Sequence, residues 1–134
     1  KTAMSLSDLF CVERHKKHFL DLVKNRLDII FANEQEIKSL INATSFKEVI
    51  DFSKEIKKNV IVTRSEKGSV SIFKEEVIEC NAQTNLKIKD LTGAGDLFAA
   101  GYLHGIINNL TTREGLEKGT ELSSKIIQKI GARL

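Results

Sequence analysis

The chain is 134 residues long, 41% hydrophobic and 29% charged, with a formal net charge of +3 from 21 basic and 18 acidic residues. Such a length holds one domain with a single moderate core, and such a composition excludes a disordered, collagen-like or low-complexity chain. The small positive excess does not imply a nucleic-acid partner, and no apolar run of about 18 residues marks a membrane span.

Two cysteines, Cys11 and Cys80, lack the Cys-x-x-Cys spacing and make no disulfide framework. A reducing, cytoplasmic setting is the expectation. No signal-peptide pattern is read at the start, which is Lys1 rather than a methionine.

Residues 2–6 form a short extended segment, after which Ser7-Asp8 can cap a helix. Leu9, Val12, Phe19, Leu20 and Val23 recur at three- and four-residue spacings, predicting one amphipathic helix over 9–24. Residues 27–32 read as a buried strand ended by Asn33. A helix over 34–41 follows, then a second one capped by Ser45 and reaching 57. Val60-Ile-Val-Thr63 is β-branched throughout, as in a strand buried on both faces. Residues 66–68 make a turn, and 69–73 with 77–80 make a hairpin about 74–76.

Residues 87–91 lead into a glycine-rich turn at 92–95, and a helix runs on to 108. From Leu97 to Thr112 there is no formal charge apart from a proton on His104, which predicts a buried helix. Asn108-Asn109 break it, and Thr112 caps a last helix over 113–130. Strands alternating with helices predict one α/β domain over 1–134, with a mainly parallel sheet.

The chemistry concentrates in Asp90-Leu-Thr-Gly-Ala-Gly-Asp96 and the small residues Ala99, Ala100 and Gly101 that follow. Small residues let a ligand approach the backbone, and a turn opening a helix presents unpaired N–H groups that hold an anion. The helix dipole favours a carboxylate at Asp96, beside that anion. Such an array suits phosphoryl transfer: amides stabilise the moving phosphoryl group and the carboxylate accepts the proton of the attacking hydroxyl. Taken alone, the same aspartate is an ordinary helix cap. No Gly-x-x-x-x-Gly-Lys-Ser/Thr loop is present.

This segment resembles the second signature of the ribokinase/PfkB family of carbohydrate and nucleoside kinases, and the resemblance covers most of the chain. It implies a three-layer, ribokinase-like α/β fold with helices flanking a mainly parallel sheet. It implies ATP-dependent transfer to a hydroxyl of a sugar or nucleoside, with Asp96 as catalytic base and Gly93, Ala94 and Gly95 as the anion hole beside Thr92. Asn33-Glu-Gln-Glu36 looks like the family's Asn-x-x-Glu element, which places Asn33 near the phosphates and gives Glu36 the Mg²⁺, usually through water. By residue type alone Glu36 is a first-turn glutamate complementing a helix dipole.

Residues 60–68 resemble the family strand and turn against the nucleotide, with Thr63, Ser65 and Gly68 as contacts; the family often has glycine where Ser65 stands. Residues 116–131 look like the helix beside the adenine, with Ser123, Ser124 and Ile127 as contacts. The resemblance also permits a monovalent cation such as K⁺ at Asp90 and the loop after the last helix. The stretches 5–15, 31–36 and 130–133 look most like bacterial adenosine or sugar kinases.

Other groupings carry less. Cys11, His15 and His18 share a helical face and could bind zinc, but no fourth ligand is evident. The basic clusters 14–18 and 54–58 read as solvated helix faces, not as a nucleic-acid surface. Asp8 reads as a cap.

Family members are roughly twice as long, so the resemblance implies the C-terminal, nucleotide-binding half, without most of the acceptor site. Weak nucleotide binding, poor turnover and self-association into a homo-oligomer through an open sheet edge are expected. The alternative is a non-catalytic nucleotide- or anion-binding module, or an inactive fragment.

Overall fold

A computed structural model describes residues 1–134. The elements run β1 (Ala3–Ser5), α1 (Leu9–Arg14), α2 (Lys16–Asn25), β2 (Ile29–Asn33), α3 (Glu34–Ile41), α4 (Phe46–Ile56), β3 (Asn59–Thr63), a 3₁₀ turn (Ser65–Lys67), β4 (Ser69–Phe73), β5 (Glu76–Cys80), α5 (Ala94–Ile107) and α6 (Thr112–Ile126). The strands form one sheet in the order β1-β2-β3-β4-β5. β1 is parallel to β2, and β2 to β3. The two-residue link between β4 and β5 is possible only for antiparallel strands. The fold is the expected α/β type, a mainly parallel sheet with flanking helices. No helix is long and apolar enough to cross a membrane.

The chain divides into two compact units, Lys1–Thr63 with Ser71–Val77, and Arg64–Val70 with Ile78–Leu134. In the first, Ile30, Val60, Ile61 and Val62 are fully buried, as two-sided coverage of parallel strands requires. Val12, Val23, Ile37, Leu40 and Val49 bring the helices onto them. Each such side chain contributes about 1.5–3 kcal/mol. α3 and α4 start on Asn33 and Ser45, whose side chains accept the amides of Glu36 and Glu48. They end at Asn42 and Lys57 in left-handed backbone.

In the second unit α5 and α6 cross at glycines. A Cβ on Gly101 would stand 2.8 Å from the Gly119 Cα, and one on Gly105 would stand 2.9 Å from the Gly115 Cα. Any side chain at these points would push the helices apart.

Three expectations are revised. The helix over 9–24 is broken at His15, which leaves helical geometry (φ −119°, ψ 25°). A one-residue break leaves Val12 and Val23 both inward, so periodicity does not register it. α5 buries one face only: Phe98, Gly101, Tyr102 and Gly105 are covered, while Ile107 is 78% exposed. Absence of charge does not define a buried face when the contact is made by glycines. The last helix starts from Thr111, which forms a capping box with Glu114, and stops at Ile126 rather than 130. The Ile127 carbonyl instead accepts the amides of Lys89 and Asp90.

Candidate active site

In the second unit the glycine-rich turn opens α5 as the sequence predicts. Gly93 takes left-handed backbone (φ 79°) at the N-cap, with no side chain capping the helix. The Ala94 amide donates to the Leu91 carbonyl at 3.2 Å, and the Leu97 amide donates to that of Gly93 at 2.9 Å. Between them the amides of Gly95 and Asp96 carry no hydrogen bond within the chain. Both residues are exposed. A Cβ on Gly95 would meet nothing within 4 Å. Two free donors thus face open space at the positive end of a 14-residue helix, with the Asp96 carboxylate beside them.

Behind this turn stands Asp90. Its Oδ1 accepts the Thr92 amide at 2.9 Å and the Thr92 hydroxyl at 2.7 Å, and its Oδ2 accepts the Gly131 amide at 2.9 Å. The Thr92 hydroxyl, the Thr92 amide and the Gly131 amide together hold the Asp90 carboxyl down at about 2.

In the first unit the sequence-predicted residues gather at the carboxyl ends of parallel strands, where open α/β sheets bind ligands. Asn33 ends β2 and Thr63 ends β3, and the two are register partners. Glu36 accepts the Asn33 backbone amide at 2.9 Å and its side-chain amide at 2.7 Å, while Asn33 Oδ1 accepts the Glu36 amide at 2.8 Å. Glu36 is only 6% exposed. Burial pushes its carboxyl up against the Asn33 hydrogen bond, and the Asp8 carboxylate adds to the rise. Asp8, three residues past β1, caps α1 by accepting the Cys11 amide at 2.8 Å. It also accepts the Cys11 thiol at 3.3 Å, which pushes that thiol up.

Residues 5–134 match the family described as pfkB family carbohydrate kinase. The chain belongs to the pfkB family.

An adenosine kinase structure from Sinorhizobium meliloti superposes with a TM-score of 0.96 at 37% identity, covering 100% of this chain and 41% of that one. A probable sugar kinase from Rhizobium etli CFN 42 gives 0.93 at 38% identity, covering 98% and 40%. A ribokinase from Lactococcus lactis is 30% identical over 107 residues, 80% of this chain and 34% of its own length. The chain therefore spans about a third of that curated relative's length.

Other residues named by the family pattern have identifiable local roles. Ser65 adopts left-handed backbone (φ 52°), a region that favours glycine. Gly68 is demanded by the fold itself, because a Cβ there would overlap the Cys80 backbone. On α6, Ser124 is buried, Ser123 and Ile127 are half-buried, and the Ile127 backbone meets the segment leading into the turn. A shallow hollow lined by Leu122, Lys125, Gln128, Lys129 and Leu134 includes none of the sequence-predicted residues. Cys11 is engaged by Asp8 and the His15 ring lies near Phe19, so these residues and His18 gather no metal cluster. The sequence reading joined Asp90 to the loop after the last helix only through the family resemblance and did not name Gly131 and Ala132, which meet Asp90 and Gly93. No local pattern marks a contact made 41 residues along the chain.

Proposed function

We propose that this chain is the nucleotide-binding, phosphoryl-transferring part of an ATP-dependent kinase whose acceptor is a hydroxyl of a sugar or nucleoside. One observation carries the reading. Glycine in a helix costs up to about 1 kcal/mol relative to alanine, least at the ends, yet nothing in the fold requires Gly95 to lack a side chain. An external group approaching the free amides of Gly95 and Asp96 supplies the reason. A phosphoryl group fits, because those donors stabilise its charge in the transition state. Asp96 then accepts the proton of the attacking hydroxyl, with Gly93, Ala94 and Thr92 shaping the cradle.

Magnesium would neutralise phosphate charge when bound. In the first unit Glu36 suits it: a desolvated carboxylate, in the field of Asp8, is stabilised by a cation. We assign Asn33 and Thr63 to the phosphate side, Ser65 and Gly68 to the nucleotide, and Ser123, Ser124 and Ile127 to the adenine. We assign a monovalent cation such as potassium to Asp90, whose Oδ2 accepts only one amide, that of Gly131. The names of the relatives, an adenosine kinase, a probable sugar kinase and a ribokinase, support a ribose-like acceptor. Self-association through the open sheet edge at β1 is part of this reading; light scattering at high concentration registers it, and a clean monomer counts against it.

Calorimetric titration of Gly95→Ala with a non-hydrolysable ATP analogue and Mg²⁺ tests the reading. The variant should be more stable by up to about 1 kcal/mol and should bind the analogue more weakly than the parent chain. Equal binding, or no binding by the parent, would remove the phosphate from this turn.

A further inference from the structure

Helix α5 packs on one side only. Phe98, Gly101, Tyr102 and Gly105 turn to α6, where glycines of the two helices touch. Around the helix from that contact lie Asp96, Ala100, His104 and Ile107, all exposed. No Asp, Glu, Lys or Arg stands between Asp96 and the end of the helix at Ile107. The face is therefore apolar along its middle, with an acid near one end and a histidine near the other.

Its residues are spaced symmetrically about Ala100. Asp96 lies four positions before it and His104 four after. Leu97 and Leu103, both half-buried, lie three before and three after. Gly93, the N-cap, lies seven before and Ile107 seven after. A copy of the helix laid antiparallel, with Ala100 on the two-fold axis, pairs unlike with unlike. The Asp96 carboxylate of one copy meets the His104 ring of the other, and Leu97 meets Leu103. The exposed Ile107 comes down on the glycine-rich turn at Gly93. Alanine at the crossing lets the two axes approach to about 8 Å, and the opposed helix dipoles favour the pairing.

We propose that the open face of α5 is the contact surface for a second copy of this chain, packed antiparallel about a two-fold axis at Ala100. The proposal does not rest on the kinase reading, and it is separate from pairing at the β1 edge. The match of Asp96 to His104 at equal distances from Ala100 is what favours a second copy over an unrelated chain. One helix from each copy makes a small interface, so the dimer should dissociate with a constant on the order of 100 µM.

Sedimentation equilibrium on the full chain reads that constant. Ala100→Arg brings two guanidinium groups together at the axis without altering the buried face, and should weaken association at least about tenfold. Oxidative cross-linking reads the register. Ala100→Cys should form a disulfide between copies at that position, identified by peptide mapping, because a residue on the axis meets itself within reach of an S–S bond. Ile107→Cys should not link to itself, because it lies opposite Gly93.

A parent chain that stays monomeric up to about 1 mM overturns the proposal. So does an Ala100→Arg variant that associates as the parent does, which moves the contact elsewhere, the β1 edge included. Absence of a link at Ala100→Cys, or an equal link at Ile107→Cys, overturns the register. Each of these outcomes leaves the kinase reading where calorimetric titration with the ATP analogue puts it.

Discussion

A Cβ placed on Gly68 would stand 2.0 Å from the backbone carbonyl oxygen of Cys80. The same residue holds φ 83° and ψ −139°, a conformation that only glycine adopts without strain. Its amide donates to the Ser65 carbonyl at 3.0 Å and its carbonyl accepts the Arg64 amide at 2.7 Å, so the turn 64–68 is closed by two bonds. Gly68→Ala should therefore destabilise the chain by about 2–5 kcal/mol, adding backbone strain to overlap. Urea denaturation checks it. A loss below about 1 kcal/mol would show that the two backbone segments can separate.

Ser65 presents the opposite case. It is exposed and sits at φ 52°, where an L-residue bears a cost that glycine does not. Ser65→Gly should stabilise the turn by up to about 1 kcal/mol, the relief being partly offset by greater freedom in the unfolded chain. Thermal melting measures the net effect.

Asp96 caps nothing: no side chain caps α5, and the N-cap is Gly93. Asp96→Asn should accordingly leave the melting temperature and the affinity for a non-hydrolysable ATP analogue near those of the parent. Phosphoryl transfer should fall by roughly 10²–10⁴-fold, the usual worth of a general base. Single-turnover transfer from γ-labelled ATP to adenosine or ribose reads rates well below steady state. Transfer retained at the parental rate would assign the proton to another group.

Glu36 predicts a pH dependence of definite sign. Burial raises its carboxyl above the ordinary 4.5. The stability it contributes is therefore fully present below 4.5 and is lost as pH rises through the raised folded value. Glu36→Gln should remove this declining limb, which is read from the difference between variant and parent stability across that window. Magnesium held at Glu36 should shift the limb of the parent to lower pH. Asp90, and Glu121 held by the ammonium groups of Lys125 and Lys118, both at about 2, act oppositely. Their stabilisation is present above the ordinary carboxylate values and is lost as pH falls toward 2. Melting temperature against pH separates the two limbs.

Much of this was legible because it depends on near neighbours. The helix expected from 34 to about 41 is α3, Glu34–Ile41, while the Asn33–Glu36 pair, read in the sequence only as a family element, turns out to form the capping box that starts it. A buried strand read over 27–32 located β2, and a β-branched run located β3. A glycine-rich turn before an uncharged helix located Asp96 and the donors beside it. These features follow from contacts within about one turn of helix or one strand.

The amino-acid order by itself determined which segments become strands and helices, and which turn carries an aspartate beside free amides. Those outcomes rest on periodicity, caps and backbone preference, all local quantities. Only the tertiary structure decided that Asn33 and Thr63 share a register, that Gly68 must stay bare against Cys80, and that Asp90 is bound to Gly131. Each of these joins residues far apart along the chain, and only packing of the whole unit determines whether such a pair meets.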